Sequence, residues 1–96
     1  MSDSRERVRQ HLLFHSVKTG NFTLKSGRLS NWFIDSKQTL CAPEAMVDVA
    51  SLVLAAMDPR ATAIGGLTMG ADGVSFITAG VGATRGQLLR AFSVRK

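Results

Sequence analysis

The sequence has 96 residues, enough for one small domain with a limited hydrophobic core. Its 45% apolar and 20% charged residues are ordinary globular composition and argue against a disordered chain or a fibrous repeat. Twelve Lys and Arg against seven Asp and Glu give a net charge of +5, which favours anionic partners. Nucleic acid is not the expected partner, because no basic run is interleaved with stacking aromatic residues.

The cysteine content and the hydropathy indicate where the protein works. Cys41 is the only cysteine, so an intramolecular disulfide is excluded and a reducing, cytoplasmic setting is predicted. We expect Cys41 to be a small buried or half-buried hydrophobe. The start of the chain is too polar for a signal peptide, and the apolar stretch 49–57 is too short to span a bilayer. No membrane association is expected.

The first part of the chain, residues 1–42, is predicted to form a helix plus a hairpin, a hood-like region. Apolar residues recur at helical spacing over residues 4–17, and Gly20 is expected to end that helix. Two aromatic-rich runs, 21–25 and 31–35, are separated by a turn-rich spacer, which predicts a β-hairpin with a loose loop.

The second part, residues 43–96, is predicted to be the first part of an α/β core. Pro43 suits the first turn of a helix whose apolar stripe ends before Asp58. A βαβ unit with a parallel sheet is predicted next, from a strand at 61–66, a helix at 71–79 and a strand at 88–94. The fold class is therefore α/β: an amino-terminal helix and β-hairpin followed by an incomplete parallel sheet.

Three stretches carry residues suited to ligand binding. The glycine-rich loop 65–72 joins a strand to a helix, where backbone N–H groups attract phosphate, although its glycines equally suit a simple tight turn. The hairpin 22–35 offers a cation, hydroxyls and aromatic faces for a flat anionic ring, and its aromatic residues equally suit a small core. The final stretch 92–96 ends in Arg95 and Lys96, which can bind phosphate or remain solvated.

Taken in order, these stretches resemble orotate phosphoribosyltransferase, of the type I phosphoribosyltransferase family. The FTLKSG run at 22–27 matches the family's F-T-L-x-S-G segment, which precedes an aromatic-rich strand, here 32–35. The loop 65–72 resembles the family's pyrophosphate loop, and 92–96 its F-x-V-R-K strand. The resemblance covers residues 5–96 and implies the amino-terminal half of a member, ending before the mobile catalytic loop and the ribose-phosphate cradle. We therefore expect the chain alone to be inactive.

The resemblance implies transfer of a phosphoribosyl group from phosphoribosyl pyrophosphate to a ring nitrogen of orotate, a step of pyrimidine nucleotide synthesis. The products would be orotidine monophosphate and pyrophosphate. Carried over by motif, the orotate contacts would be Lys25, Phe33 and Ile34. The contacts to phosphoribosyl pyrophosphate would be Lys25, Thr68, Met69, Gly70, Asp72, Arg95 and Lys96. The resemblance assigns no catalytic residue within this chain.

The resemblance also implies a homodimer with shared active sites, in which Arg95 reaches the neighbouring subunit's site. Mg2+ is implied as the companion of phosphoribosyl pyrophosphate. The chain itself is predicted to hold no metal, because His11 and His15 lack a nearby third ligand. Two positions depart from the family. Met69 stands where other branches of the family carry a lysine, and Gly73 stands where a proline often follows the Gly-Ala-Asp triplet. The alternative hypothesis is a non-catalytic phosphoribosyltransferase-like module that binds a ligand or has a regulatory role.

Overall fold

The computed structural model describes residues 2–95, which form helices and two small two-stranded sheets. β1 and β2 form an antiparallel hairpin, and β3 and β4 form a parallel pair connected by helix α4. This order confirms the predicted helix, hairpin and βαβ unit. The elements are α1 (Ser2–His11), a π-helical segment (Leu12–Ser16), β1 (Val17–Thr23), β2 (Leu29–Ile34), α2 (Lys37–Leu40), α3 (Pro43–Ala56), β3 (Ala63–Leu67), α4 (Ala71–Thr84) and β4 (Arg90–Val94).

The first helix differs from its prediction at both ends. It begins at Ser2, and its last turn widens into the π-helical segment before the backbone becomes extended at Val17. The prediction that Gly20 ends the helix is wrong, because Gly20 lies inside β1. There its φ of 145° accompanies a shift in the pairing register, as glycine often does at a β-bulge. The β-branched Val17 favours the earlier change to extended backbone.

The hairpin is longer and its turn tighter than predicted. β1 begins at Val17 rather than at residue 21, and β2 begins at Leu29. The Leu24 N–H donates to the Arg28 carbonyl and the Gly27 N–H to the Leu24 carbonyl, each at 2.8 Å. Gly27 adopts a φ of 86°, a conformation that glycine reaches without strain. The loop is therefore closed by its own backbone rather than loose.

Helix α3 holds the centre of the molecule. It spans the predicted length from Pro43 and packs against both α1 and α4. Within residues 2–95 its Ala45 and Ala50, at 3% and 0% exposure, are the fully buried apolar side chains. Helix α4 runs to Thr84, beyond its predicted end at residue 79. None of the helices in residues 2–95 has the length and apolar character needed to cross a bilayer.

The parallel pair rests closely on α4 on one side only. A Cβ added to Gly66 would lie 2.5 Å from the carbonyl group of Ala71, so glycine permits this approach of β3 to the start of α4. The opposite face carries Leu67, Phe92 and Val94, which are 52%, 50% and 46% exposed. Parallel sheets are normally covered on both faces. Half of the surface that such a sheet usually buries is therefore exposed in residues 2–95.

Candidate functional site

A cavity of about 750 Å³ lies between the segment that follows the hairpin and the start of α4. Its walls are mostly apolar with a few convergent polar groups, the character of a site for a small molecule. Its volume is in the usual range for such sites. The lining residues are Phe33, Ile34, Asp35, Ser36, Lys37, Leu40, Cys41, Met46, Met69, Gly70, Asp72, Gly73, Phe76 and Ile77.

One wall is built from the end of β2 and the short helix α2. The Asp35 N–H donates to the Ser16 carbonyl at 2.8 Å, which fixes the chain as it leaves the hairpin. Helix α2 then turns the backbone, with the Leu40 N–H donating to the Ser36 carbonyl at 2.8 Å. Lys37 is the only Lys or Arg among the described residues that line the cavity. This wall therefore presents the positive charge of Lys37 and the carboxylate of Asp35 beside aromatic and aliphatic side chains.

The opposite wall is the loop between β3 and α4. This loop contains a cis peptide bond between Thr68 and Met69, and Gly70 has a φ of 130°. The Asp72 carboxylate oxygen Oδ1 accepts hydrogen bonds from the backbone N–H groups of Gly70 and Gly73, each at 3.0 Å. Asp72 thus places the chain's own negative charge in the first turn of α4.

The cavity brings together residues predicted for two different ligands. Phe33 and Ile34 come from the predicted orotate set, and Met69, Gly70 and Asp72 come from the predicted pyrophosphate set. The two sets are separated by all of α3 and β3 in the sequence. Their meeting at one cavity is a result of the tertiary fold.

Lys25, predicted for both ligands, is not among the residues that line this cavity. It lies in the closed turn at the hairpin tip, whereas the cavity begins at the base near Ile34. The five residue steps along β2 from Leu29 to Ile34 span roughly 17 Å at the usual rise of a strand. The contact assigned to Lys25 stays a prediction that needs its own test.

Thr68 and Arg95, two further predicted residues, lie at the carboxyl edge of the parallel pair. The Thr68 N–H donates to the Val94 carbonyl at 2.9 Å, which ties the loop to the end of β4. Arg95 follows directly and is exposed, but neither Thr68 nor Arg95 lines the cavity. Lys96 falls outside the described residues. The roles of these three residues stay predictions.

The sequence did not indicate helix α2 or the exposure of Cys41. The prediction that Cys41 is buried or half-buried is wrong, because the chain turns at the end of α2 and leaves the thiol exposed at the cavity wall. A helix of four residues shows no periodic pattern that could predict it. The sequence offered one indication of this wall: Asp35 and Lys37 immediately follow the aromatic-rich strand that is predicted to bind orotate.

The ion pairs with shifted pKa values lie away from the cavity. Arg7 binds Asp48 through two hydrogen bonds of 2.7 and 2.8 Å, which hold the pKa of that carboxyl below its usual value. A hydrogen bond from His11 likewise lowers the pKa of Glu44. Within residues 2–95, no group of three or more His, Cys, Asp or Glu is placed to hold a metal ion.

Comparison with known sequences gives one consistent relationship. No protein-family model matches the chain. It is 36% identical over 97 residues to the orotate phosphoribosyltransferase of Streptomyces coelicolor, an alignment that covers 100% of this chain and 53% of the relative. It is 32% identical over 94 residues to the orotate phosphoribosyltransferase of Synechocystis, covering 94% of this chain and 48% of the relative.

Solved structures give the same relationship. The orotate phosphoribosyltransferase of Mycobacterium tuberculosis in complex with inorganic phosphate matches with a TM-score of 0.79 and 29% identity, over 98% of this chain and 55% of that one. A phosphoribosyltransferase from Corynebacterium diphtheriae matches with a TM-score of 0.73 and 27% identity, over 100% and 52%. The chain spans about half the length of these relatives. It is related to the orotate phosphoribosyltransferases and resembles their amino-terminal half, which confirms the predicted resemblance and fold class.

Proposed function

We propose that this relative of the orotate phosphoribosyltransferases serves the transfer of a phosphoribosyl group from phosphoribosyl pyrophosphate to orotate. The products are orotidine monophosphate and pyrophosphate. The observation that carries the proposal is the cavity, because it joins the segment after the hairpin to the loop that begins α4. These are the segments that the resemblance assigned to orotate and to pyrophosphate.

The cavity suits the flat, anionic ring of orotate. Phe33 and Phe76 supply aromatic faces against which such a ring can pack. Lys37, which is exposed at the cavity wall, supplies a cation that can bind the orotate carboxylate. Holding the ring nitrogen in place before it meets the anomeric carbon lowers the entropy cost of the transfer. The contribution of this chain to the rate of transfer is therefore the orientation of orotate.

The loop from Met69 to Gly73 receives the pyrophosphate side. Asp72 accepts hydrogen bonds from the backbone N–H groups of Gly70 and Gly73, so the dipoles of these groups stabilise negative charge at this point. Met69 adds no charge of its own. Arg95, exposed just beyond β4, and Lys96 are proposed to neutralise the departing pyrophosphate.

Mg2+ is proposed to accompany phosphoribosyl pyrophosphate rather than to occupy a protein cage. Mg2+ usually keeps several waters and binds one or two carboxylates together with substrate phosphates. The cavity wall fits that requirement, since Asp72 uses Oδ1 in the hydrogen bonds to the loop and has a second carboxylate oxygen, Oδ2. When bound, the ion would supply positive charge to the pyrophosphate oxygens.

A homodimer with shared active sites, in a cytoplasmic setting, is proposed as the working form. Arg95 is exposed and does not line the cavity of its own subunit, although it lies beside the loop that does. In a homodimer, Arg95 would reach the ligand bound in the neighbouring subunit's site. Light scattering should then give twice the monomer mass of 10.3 kDa, and a monomer at micromolar concentration would remove this part of the proposal.

Thermal-shift titration with orotate tests the cavity. A ligand that binds only the folded state raises its melting temperature with concentration. Orotate should stabilise the wild type, and uracil, which lacks the carboxylate, should stabilise it much less. Lys37→Gln should abolish most of the orotate effect, with Lys25→Gln as the matched variant that tests the predicted hairpin contact. Unchanged stabilisation of Lys37→Gln would contradict the cavity as the orotate site.

A turnover assay separates transfer from binding alone. Orotate, phosphoribosyl pyrophosphate and Mg2+ are supplied, and the formation of orotidine monophosphate is followed. We expect orotate binding without appreciable turnover for this chain alone. Turnover would contradict that expectation, and the absence of both binding and turnover would contradict the proposed function.

A further inference from the structure

A chain of polar side chains crosses the junction of α1, α2 and α3 outside the cavity. Ser16 Oγ lies 2.6 Å from Thr39 Oγ1, and Thr39 Oγ1 lies 3.0 Å from His11 Nδ1. His11 Nε2 lies 2.8 Å from the Glu44 carboxylate. Ser16 and Thr39 are 0% and 1% exposed, so both hydroxyls are shielded from bulk solvent. We refer to Ser16, Thr39, His11 and Glu44 as the His11 relay.

One arrangement of protons gives each donor of the relay an acceptor. The His11 Nε2–H donates to Glu44, which leaves Nδ1 as an acceptor for the Thr39 hydroxyl. Thr39 Oγ1 then accepts from the Ser16 hydroxyl. Buried polar groups are normally hydrogen-bonded, and leaving one unpaired is costly. His11 therefore sets the direction of the two buried hydrogen bonds.

Helix α2 depends on this relay for its position. It has only four residues, and its first turn has no side-chain cap. A helix this short does not persist by its own hydrogen bonds, since nucleation is unfavourable. Thr39 is the buried residue of α2, and its hydroxyl is bonded to Ser16 and His11. These bonds fix the helix to the rest of the molecule.

Ser16 of the relay is bonded to one cavity wall at two points, Asp35 and Thr39. The Ser16 carbonyl accepts the Asp35 N–H at 2.8 Å, and the Ser16 hydroxyl bonds to Thr39. Four residues of this wall line the cavity: Asp35 and Lys37 precede Thr39 in the sequence, and Leu40 and Cys41 follow it. The backbone from 35 to 41 is thus fastened at two points that meet at Ser16.

We propose that His11 is a positioning residue for the cavity. Through Nδ1 it orients the Thr39 hydroxyl, and through Thr39 and Ser16 it fixes the wall formed by residues 35–41, although His11 itself does not line the cavity. The proposal rests on the proposed function only for the identity of the ligand, orotate. The ordering of the wall is measured on the chain itself, without added orotate.

A matched pair of substitutions at His11 tests this role. The amide of Asn can take the place of Nδ1, and the longer amide of Gln can take the place of Nε2. His11→Asn should keep the bond to Thr39 and leave the wall ordered. His11→Gln should keep the bond to Glu44 and lose Thr39, so exchange of the Asp35, Leu40 and Cys41 amide hydrogens should rise about fivefold, the effect of one lost hydrogen bond.

The controls separate a local from a general effect. Glu44→Gln retains an acceptor for Nε2–H and should leave exchange in the wall unchanged. Amides in the middle of α3 should exchange at the same rate in all variants. Equal exchange of the wall in His11→Gln and the wild type would overturn the proposal, as would an equal rise in α3, which indicates general destabilisation.

A second pair covers the case in which His11→Gln does not fold. Thr39→Ser keeps the hydroxyl and should behave as the wild type, whereas Thr39→Val keeps the shape without the hydroxyl and should exchange faster in the wall. Equal exchange in these two variants would overturn the proposal. Because no ligand is present, failure of the wild type to bind orotate would contradict the proposed function and leave this result standing.

Discussion

The hairpin and the parallel pair are both two-stranded, but they are supported in different ways. The hairpin is closed by backbone hydrogen bonds in its own turn and is fixed at its base by Ser16. The parallel pair has no local turn and depends on close packing against α4, with every residue of β4 exposed. Antiparallel strands tolerate a solvated face better than parallel strands do. The hairpin is thus largely a local structure, while the parallel pair depends on its neighbours.

The largest expected effect comes from Gly66→Ala in the parallel pair. Its Cβ would lie 2.5 Å from the Ala71 carbonyl, and backbone cannot move aside cheaply. We expect a loss of about 2–3 kcal/mol in the free energy of unfolding, the upper range for overpacking. Gly65→Ala is the matched control, because there the three atoms nearest to the added carbon belong to the ring of half-exposed Phe92, which can rotate. Equal losses in urea unfolding would contradict the dependence on α4.

An intermediate effect is expected from Phe22→Leu in the hairpin. The rings of Phe22 and Phe33 pack edge to face with centroids 4.8 Å apart. Losing this geometry should cost about 1 kcal/mol. Trp32→Leu is the control, since Trp32 is 54% exposed and has no ring partner within the described residues. If both substitutions lower the urea midpoint equally, the aromatic pair is not what stabilises the hairpin.

The smallest effect is expected from Asp48→Asn, which breaks the ion pair between α1 and α3. Arg7 is 59% exposed and Asp48 13%, so solvent screening limits the contribution to roughly 0.5 kcal/mol at neutral pH. The pKa of Asp48 is lower in the folded chain than its usual 3.8. The contribution is therefore complete above that usual value and is lost as the pH falls through the lower folded value.

Unfolding measured from pH 5 to about pH 2.5 checks this direction. The advantage of the wild type over Asp48→Asn should shrink as the pH falls. The comparison isolates Asp48 from Glu6, whose pKa is lowered to about 2 chiefly by its hydrogen bond with Arg9. A constant or growing difference between the two proteins would show that the pair does not stabilise the fold in this way.

The periodic parts of the fold were predictable from the sequence. Pro43 and the apolar stripe after it predicted α3, and the glycine-flanked order of strand, helix and strand predicted the parallel pair. Helix α2 could not be predicted, because four residues have no period and its stability comes from Thr39, a tertiary anchor. The predicted helix end at 17 is within one residue of Ser16, but the role of Gly20 was wrong, because glycine indicates a change of backbone conformation but not which change.

The sequence predicted the segments that form the candidate site, but it did not predict how these segments come together in one cavity. The hairpin strand and the loop 65–72 were recognised by motif, and the cavity joins them through Phe33 and Met69. Motif order cannot show which cation faces the cavity, since that depends on the turn made by α2. Lys37 lines the wall, and Lys25 lies in the hairpin turn.

The most direct test of the cavity is an orotate titration followed by backbone amide NMR. We predict shifts centred on the two walls, residues 33–41 and 69–77, and a smaller shift at Lys25 if its predicted contact with orotate is made. His11, which does not line the cavity, should shift less than Thr39. Shifts centred on the hairpin tip, or no saturable shifts in either wall, would contradict the assignment of this cavity to orotate.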